Sequence, residues 1–418
     1  MIVDRFLRNF IRQGNEVDMS KAEELLKMPD IIAEFVGFAH KAGIVGEEQN
    51  LAILKLCTVS RKVKRGRFHV DLREESAAGK STLADFVFST LPDEVKLDLT
   101  GGASDLALMY GGDMMNKVAL LDEADTLDEE IRKLLRVLMT RDEASRLVTQ
   151  GTPGEGFTSE PIKVDASGFV CIQAGIKVIA NLADYTRFFA LFPDVSEQQT
   201  KAITRQQAKS WSQARPGLES ELKLWQEADR LLKPYSVVIP FAESLERYYT
   251  GLGLERRRDV PRLMSLVASC AVLHQKNRQI QGDTLIASLR DYEMVYRWCS
   301  TVFERHVIKL TKKQMEVLDY IKEKCEGKNF TSTSIETGTK IPHTTVWRAL
   351  QALSTVGYIK DNENGTYKFE SAIGHGLPLP AVISHDMDGK QLSIGSINLN
   401  SESSDLELVP KTETIKGD

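Results

Sequence analysis

Gly79-Lys80-Ser81 is the stretch of this 418-residue chain whose residue types most directly suggest chemistry. A phosphate-binding loop needs Gly, four residues, then Gly-Lys-Ser/Thr. The second half is present, but Glu74 stands where the first glycine belongs. FHVDL (Phe68 to Leu72) before the loop reads as a strand, and STLADFVFSTL (Ser81 to Leu91) after it as a helix. This order aims backbone N–H groups of Ser76, Ala77, Ala78 and Gly79, and the positive end of a helix, at an anion. Lys80 would reach the β- and γ-phosphates of a nucleotide. Ser81, followed by Thr82 in the same turn, would hold Mg2+. The Glu74 carboxylate beside a triphosphate is unfavourable unless it points to solvent or pairs, for example with Arg73, so weakened binding is expected.

The second half of such a site is VALLDEAD, Val118 to Asp125. Four apolar residues suit a buried strand with Asp122 and Glu123 at its carboxyl end. Asp122 would contact Mg2+, and Glu123 would orient the attacking water. IKVIAN (Ile176 to Asn181) is expected as a third strand, with Asn181 placed to hold that water. Arg187 follows in DYTRFF, where an arginine could reach a neighbouring subunit's γ-phosphate.

These residues need a scaffold, and the composition supplies an ordinary globular one: 42% apolar, 27% charged, net charge −5. No protein-wide basic field draws the chain to nucleic acid, so such a surface must be local. Five scattered cysteines have no CxxC spacing, which suggests a reduced, cytoplasmic setting without a zinc or redox motif. No run reaches the roughly 18 apolar residues of a membrane span. Alternating strand and helix patterns predict an α/β fold with a mostly parallel sheet. The expected divisions are an N-terminal helical segment (1–50), a phosphate-loop core (51–194), a helical region (195–307), a small separate unit (308–370) and a disordered polar tail (371–418).

Two further regions could face nucleic acid. Gly-Thr-Pro-Gly and Asp-Ala-Ser-Gly punctuate short β-type runs between 146 and 175, which predicts a hairpin carrying Lys163. In the 308–370 unit, TKKQMEVLDYIKEKC, FTSTSIETGTK and IPHTTVWRALQALSTVGYI read as three helices, and YIKDNENGTYKFE as a β-hairpin. That order is a winged helix-turn-helix. Thr344, Thr345, Trp347 and Arg348 lie at or near the start of its third helix, where such folds meet DNA; Lys360 and Lys368 flank the wing. The basic run Lys62, Lys64, Arg65 and Arg67 is a second candidate surface.

GIVGEEQNLAILKLCTVSRK (Gly43 to Lys62), ESAAGKSTL, LLDEAD with IRKLLRVLM, and RRDVPRLMSLVASCAVLHQKNRQ (Arg257 to Gln279) together resemble one family. It is the AAA+ helicase module found with DNA primases of phages and mobile elements, similar in layout to the mini-chromosome-maintenance helicases. The resemblance covers about residues 40 to 370. It implies a P-loop NTPase (AAA+) three-layer core with a helical lid over 195–307. It also implies ATP and Mg2+ bound between subunits of a ring, usually hexameric, with single-stranded DNA in the pore, and a separate primase as a potential partner. By this resemblance Lys80, Ser81, Asp122 and Glu123 fall on Walker A and B, Asn181 on sensor 1, and Arg187 on the arginine finger. Arg262, with Arg258 as the alternative, falls on sensor 2. The function expected is a replicative DNA helicase or helicase loader. The alternatives are a nucleotide-impaired DNA-binding initiator or regulator, favoured by Glu74, and an ATPase switch that remodels proteins.

Overall fold

The computed structural model describes residues 19–73, 79–100, 114–122, 129–152, 156–175, 187–212, 217–249, 256–308, 312–325, 327–356, 358–362, 365–369 and 377–389. Helices α1 (Met19–Leu25), α2 (Ile31–Lys41) and α3 (Glu48–Ser60) lead to strand β1 (His69–Arg73) and helix α4 (Lys80–Ser89). Then come β2 (Lys96–Asp98), β3 (Val118–Leu121), α5 (Glu129–Thr140), β4 (Glu143–Thr152), β5 (Gly156–Asp165), β6 (Val170–Gly175) and β7 (Phe188–Leu191). The next stretch holds α6 (Glu197–Ser212), α7 (Glu219–Leu231), β8 (Ser236–Val238), α8 (Ala242–Tyr248), α9 (Arg256–Leu273), β9 (Gln279–Gln281), β10 (Thr284–Ile286) and α10 (Leu289–Ile308).

Five strands form a parallel sheet in the order β2-β3-β6-β1-β7. Alternation along each strand divides its side chains between two cores. Val70, Leu72, Val118, Leu120, Ile172 and Phe189 pack against α3, α4, α9 and α10. Ala119, Leu121, Cys171 and Phe188 pack against α5 and the base of the β4–β5 hairpin. The result is an α/β P-loop fold with helices on both faces.

Two expectations are corrected here. The boundary at residue 50 cuts through α3. That helix is buried from Asn50 to Ser60, because it touches the sheet on one side and α2, α9 and α10 on the others. A helix apolar all round belongs inside a core, and the N-terminal helices are part of that core. Between β3 and β1 runs β6, VCIQAG, whose first five residues are buried; the strand expected at IKVIAN (176–181) lies outside the described residues. Second, the tail expected to be disordered includes α14 (Pro380–Gly389), which packs on α8 and α10. Leu377 and Ile383 are buried there, Ser244 donates to Asp386 Oδ2 at 2.5 Å, and Arg247 lies 3.1 Å from Asp386 Oδ1.

Residues 312–369 build a second unit with its own core of Val317, Leu318, Ile321, Phe330, Ile335, Val346, Leu350, Leu353, Tyr358 and Tyr367. Its elements are α11 (Lys312–Lys324), β11 (Asn329–Phe330), α12 (Ser332–Thr339), α13 (His343–Val356), β12 (Ile359–Asp361) and β13 (Tyr367–Phe369), with antiparallel strand order β11-β13-β12. A capping box at Thr331 and Ser334 starts α12. The chain leaves this unit and returns to α10 through α14.

Candidate phosphate-binding site

A parallel sheet brings all its carboxyl ends to one side, and the sequence motifs meet there. β1 ends at Arg73, and α4 begins at Lys80 behind Gly79. Gly79 has φ +82°, a left-handed conformation that glycine adopts without strain, and it starts the helix. Lys80 is largely buried at 8% exposure. β3 delivers Asp122 to the same end, since Leu121 and Asp71 both pair with Gln173. Ser81 donates its hydroxyl to Asp122 Oδ2 at 3.0 Å, joining residues 41 apart in sequence. A hydroxyl and a carboxylate in contact at a helix N-terminus form a donor set suited to Mg2+, beside a lysine suited to phosphate. Thr82 is half-buried one residue further along α4. Ser76, Ala77, Ala78 and Glu123, with Glu74, lie outside the described residues, as does Asn181.

Sequence reasoning offered Arg73 as a partner for Glu74 and passed over the pair it makes beneath this end. In HVDLR, Asp71 and Arg73 share the α5 face of β1, both buried, and Arg73 Nε donates to Asp71 Oδ2. The readable signal was opposite charges two residues apart on an otherwise buried strand. The pair fixes the strand end from which the loop departs.

The other predicted residues lie elsewhere. Arg187 immediately precedes β7, at its amino end, and is half-buried. Arg262, on α9, donates to Phe188 O at 3.1 Å and pairs with Asp259 at 3.2 Å. Phe188 is level with His69, four residues before Arg73. At about 3.3 Å per residue, Phe188 lies roughly 13 Å from the carboxyl end of the sheet. Arg262 thus sits toward the opposite end of the sheet from the phosphate loop, where the Phe188 carbonyl takes its guanidinium. The alternative, Arg258, is exposed on the same helix.

His69 occupies that amino end. Its Nδ1 accepts from Cys171 N–H at 3.1 Å, so Nε2 carries the proton toward Met139 O, also 3.1 Å away. Burial pushes its pKa down to about 3, and the ring stays neutral.

The β4–β5 hairpin matches the expectation, but Lys163 sits near its base, two residues from Asp165, and pairs with Glu143 at 3.1 Å. In the C-terminal unit Thr344, Trp347 and Arg348 are exposed on α13, and Thr345 is half-buried. Lys360 and Lys368 face solvent directly opposite each other across β12 and β13. The basic run before β1 is largely committed: Lys64 pairs with Asp283, and Arg67 pairs with Asp142 at 2.5 Å and donates to Arg141 O.

All five cysteines are buried and free. Among the described residues, Cys270, His274 and Asp291 place ligand-type atoms within 4.8 Å of one another. Their lone pairs are spent. His274 Nε2 accepts from Ile31 N–H at 3.1 Å, and its Nδ1 faces Cys270 O at 2.9 Å. Asp291 accepts from Arg278, at 2.8 and 2.6 Å, and from Ser288. The cluster is a satisfied structural network that docks α9 on α2 and α10. No helix among the described residues is long and apolar enough to cross a membrane.

Among known families, the MTBMA_p00010 P-loop domain matches residues 16–227. No curated protein matches the chain. The matched segment runs from the N-terminal helices through β7 into α7, enclosing Gly79, Lys80, Ser81 and Asp122. With just over half of the chain matched, the protein belongs to the MTBMA_p00010 P-loop domain family.

Proposed function

We propose that this chain is an AAA+ ATPase that works on DNA as a replicative helicase or helicase loader of a phage or mobile element. The carrying observation is the 3.0 Å contact between Ser81 and Asp122, which unites the two halves of a hydrolytic site. The order β2-β3-β6-β1-β7 supports the AAA+ reading. The phosphate loop follows the strand next to one edge, and the acidic motif follows β3, two strands away across β6.

In this reading Lys80 binds the β- and γ-phosphates of ATP. Ser81 and Asp122 hold Mg2+, which would supply charge neutralisation at the β/γ bridge. Glu123 orients water for attack on the γ-phosphorus and takes its proton, while the bond to the β-phosphate oxygen breaks. Asn181 holds the same water. Arg187, at the far end of the sheet, is out of reach of its own loop and serves a neighbour's site in a ring, with a hexamer expected. Arg262 holds the backbone at Phe188 and so positions Arg187. The C-terminal unit has the order helix, strand, helix, helix, strand, strand, which supports a winged helix. Lysines directly opposite on two strands repel, so Lys360 and Lys368 favour a bound phosphate backbone. Lys163 on the hairpin is the pore contact proposed for single-stranded DNA, and a primase on a separate chain is the proposed partner.

The test is ATP hydrolysis with and without single-stranded DNA, for the native protein, Lys80→Ala and Glu74→Gly. DNA-stimulated turnover that falls at least about 100-fold in Lys80→Ala supports the motor. Glu74 favours a second reading, a nucleotide-impaired DNA-binding initiator. A silent native protein revived by Glu74→Gly supports that reading, and silence in all three contradicts the motor.

A further inference from the structure

Helix α6 has a composition that neither its fold nor the proposed hydrolytic site uses. Of its 16 residues only Gln199 is buried. That glutamine donates to Val45 O at 2.6 Å and anchors the helix on the loop between α2 and α3. Ala202, Ile203, Gln206 and Ser210 continue the partly covered inner face. On the outer side Lys201, Arg205 and Lys209 recur every four residues, all exposed. Each step of four advances about 6 Å along the axis, so the three cations form a stripe about 12 Å long. The only acid on the helix, Glu197, pairs with Lys201 at 2.6 Å in the first turn. No carboxylate among the described residues pairs with Arg205 or Lys209.

The last turn of the helix also carries Trp211, which is 77% exposed, more than any other large apolar side chain among the described residues. Its helical position flanks the outward direction on the side opposite the cations. A membrane surface would need an apolar face, and α6 has a single aromatic. A row of cations and an exposed aromatic ring, flanking the outward direction of one helix, are the two elements that hold a single strand: charge along its backbone and a surface for a base. The net charge of −5 makes this local basic surface the more selective for a polyanion. The helix also starts one short loop after β7, at the phosphate-loop end of the sheet, where Asp194 N–H donates to Glu47 Oε1 at 2.7 Å.

We infer that the outer face of α6 is a binding surface for single-stranded nucleic acid, with Lys201, Arg205 and Lys209 on phosphates and Trp211 stacked on a base. This inference rests on the DNA reading above. It adds a contact outside the hairpin and the C-terminal unit.

The probe is a fluorescein-labelled oligothymidine titrated with the full chain across a range of salt concentrations. Native protein is compared with the triple variant Lys201→Gln/Arg205→Gln/Lys209→Gln and with Trp211→Ala. Losing three phosphate contacts should flatten the slope of log affinity against log salt by about 2. Trp211→Ala should weaken binding about 10-fold. Bound oligothymidine should quench tryptophan fluorescence, and Trp211→Ala should reduce that quenching. Native binding with an unchanged salt slope in the triple variant overturns the α6 inference and leaves the DNA reading intact. The same holds if the triple variant loses self-association while keeping its DNA affinity, since the face would then be a subunit contact. A native protein that does not bind oligothymidine overturns the DNA reading and this inference with it.

Discussion

The two ends of the central sheet are built from similar residue types with opposite outcomes. At the carboxyl end, a lysine, a serine and an aspartate converge around Gly79, and Ser81 bonds to Asp122. At the amino end, polar groups are spent on the protein itself. His69 bridges Cys171 N–H and Met139 O, Arg262 holds Phe188 O, and Arg61 at the end of α3 is fully buried against Asp229. One end is arranged for a ligand, the other for rigidity. In the proposed reading, Arg187, standing on the rigid end, takes part in hydrolysis across a subunit boundary.

The largest effect that sharpens this contrast is on turnover. Arg187→Ala should lower ATP turnover about 10³-fold and leave nucleotide affinity unchanged, because an arginine finger stabilises transition-state charge. A matching loss of affinity, measured with a fluorescent ATP analogue, would put Arg187 in its own chain's site and break the contrast.

Next is the stability of the amino end. Arg61→Ala removes the partner of the buried Asp229 carboxylate, at a cost of about 3–5 kcal/mol in urea unfolding. The corresponding Ser81→Ala change at the carboxyl end removes one partly exposed hydrogen bond and should cost about 1 kcal/mol. Equal costs would mean that the two ends are not built differently.

The smallest effect is a pH limb. The folded pKa of His69 is about 3, below an ordinary value of 6.5. Above pH 6.5 both folded and unfolded histidine are neutral and nothing is lost. Below it the unfolded chain takes up a proton that the folded chain refuses, so stability falls by about 1.4 kcal/mol per pH unit until roughly pH 3. His69→Gln should show a shallower loss between pH 6 and pH 4 by thermal melting; identical slopes would mean that His69 titrates normally.

Much of this was legible in the sequence because it is local. Gly79-Lys80-Ser81 between a strand and a helix, and VALL followed by Asp122, are short patterns with fixed geometry, and the structure joins them. The C-terminal unit was readable from helix periodicity and from Asn364-Gly365. What stayed hidden depends on tertiary choice. VCIQAG is one of several short β-type runs in the sequence, and pairing with β1 and β3 places it in the sheet. The helix PAVISHDMDG has little propensity of its own, and docking on α8 and α10 supplies its order. Arg262 lies on a helix that was recognisable, but periodicity does not say which end of a sheet a helix residue will face.

The central claim, that hydrolysis needs the two ends from two different chains, is tested most directly by mixing inactive variants. Lys80→Ala and Arg187→Ala proteins, each inactive alone, would be combined in equal amounts and assayed for ATP hydrolysis. The account predicts turnover well above either parent, because an intact Lys80 on one chain meets an intact Arg187 on the next. A mixture no more active than its parents would contradict it.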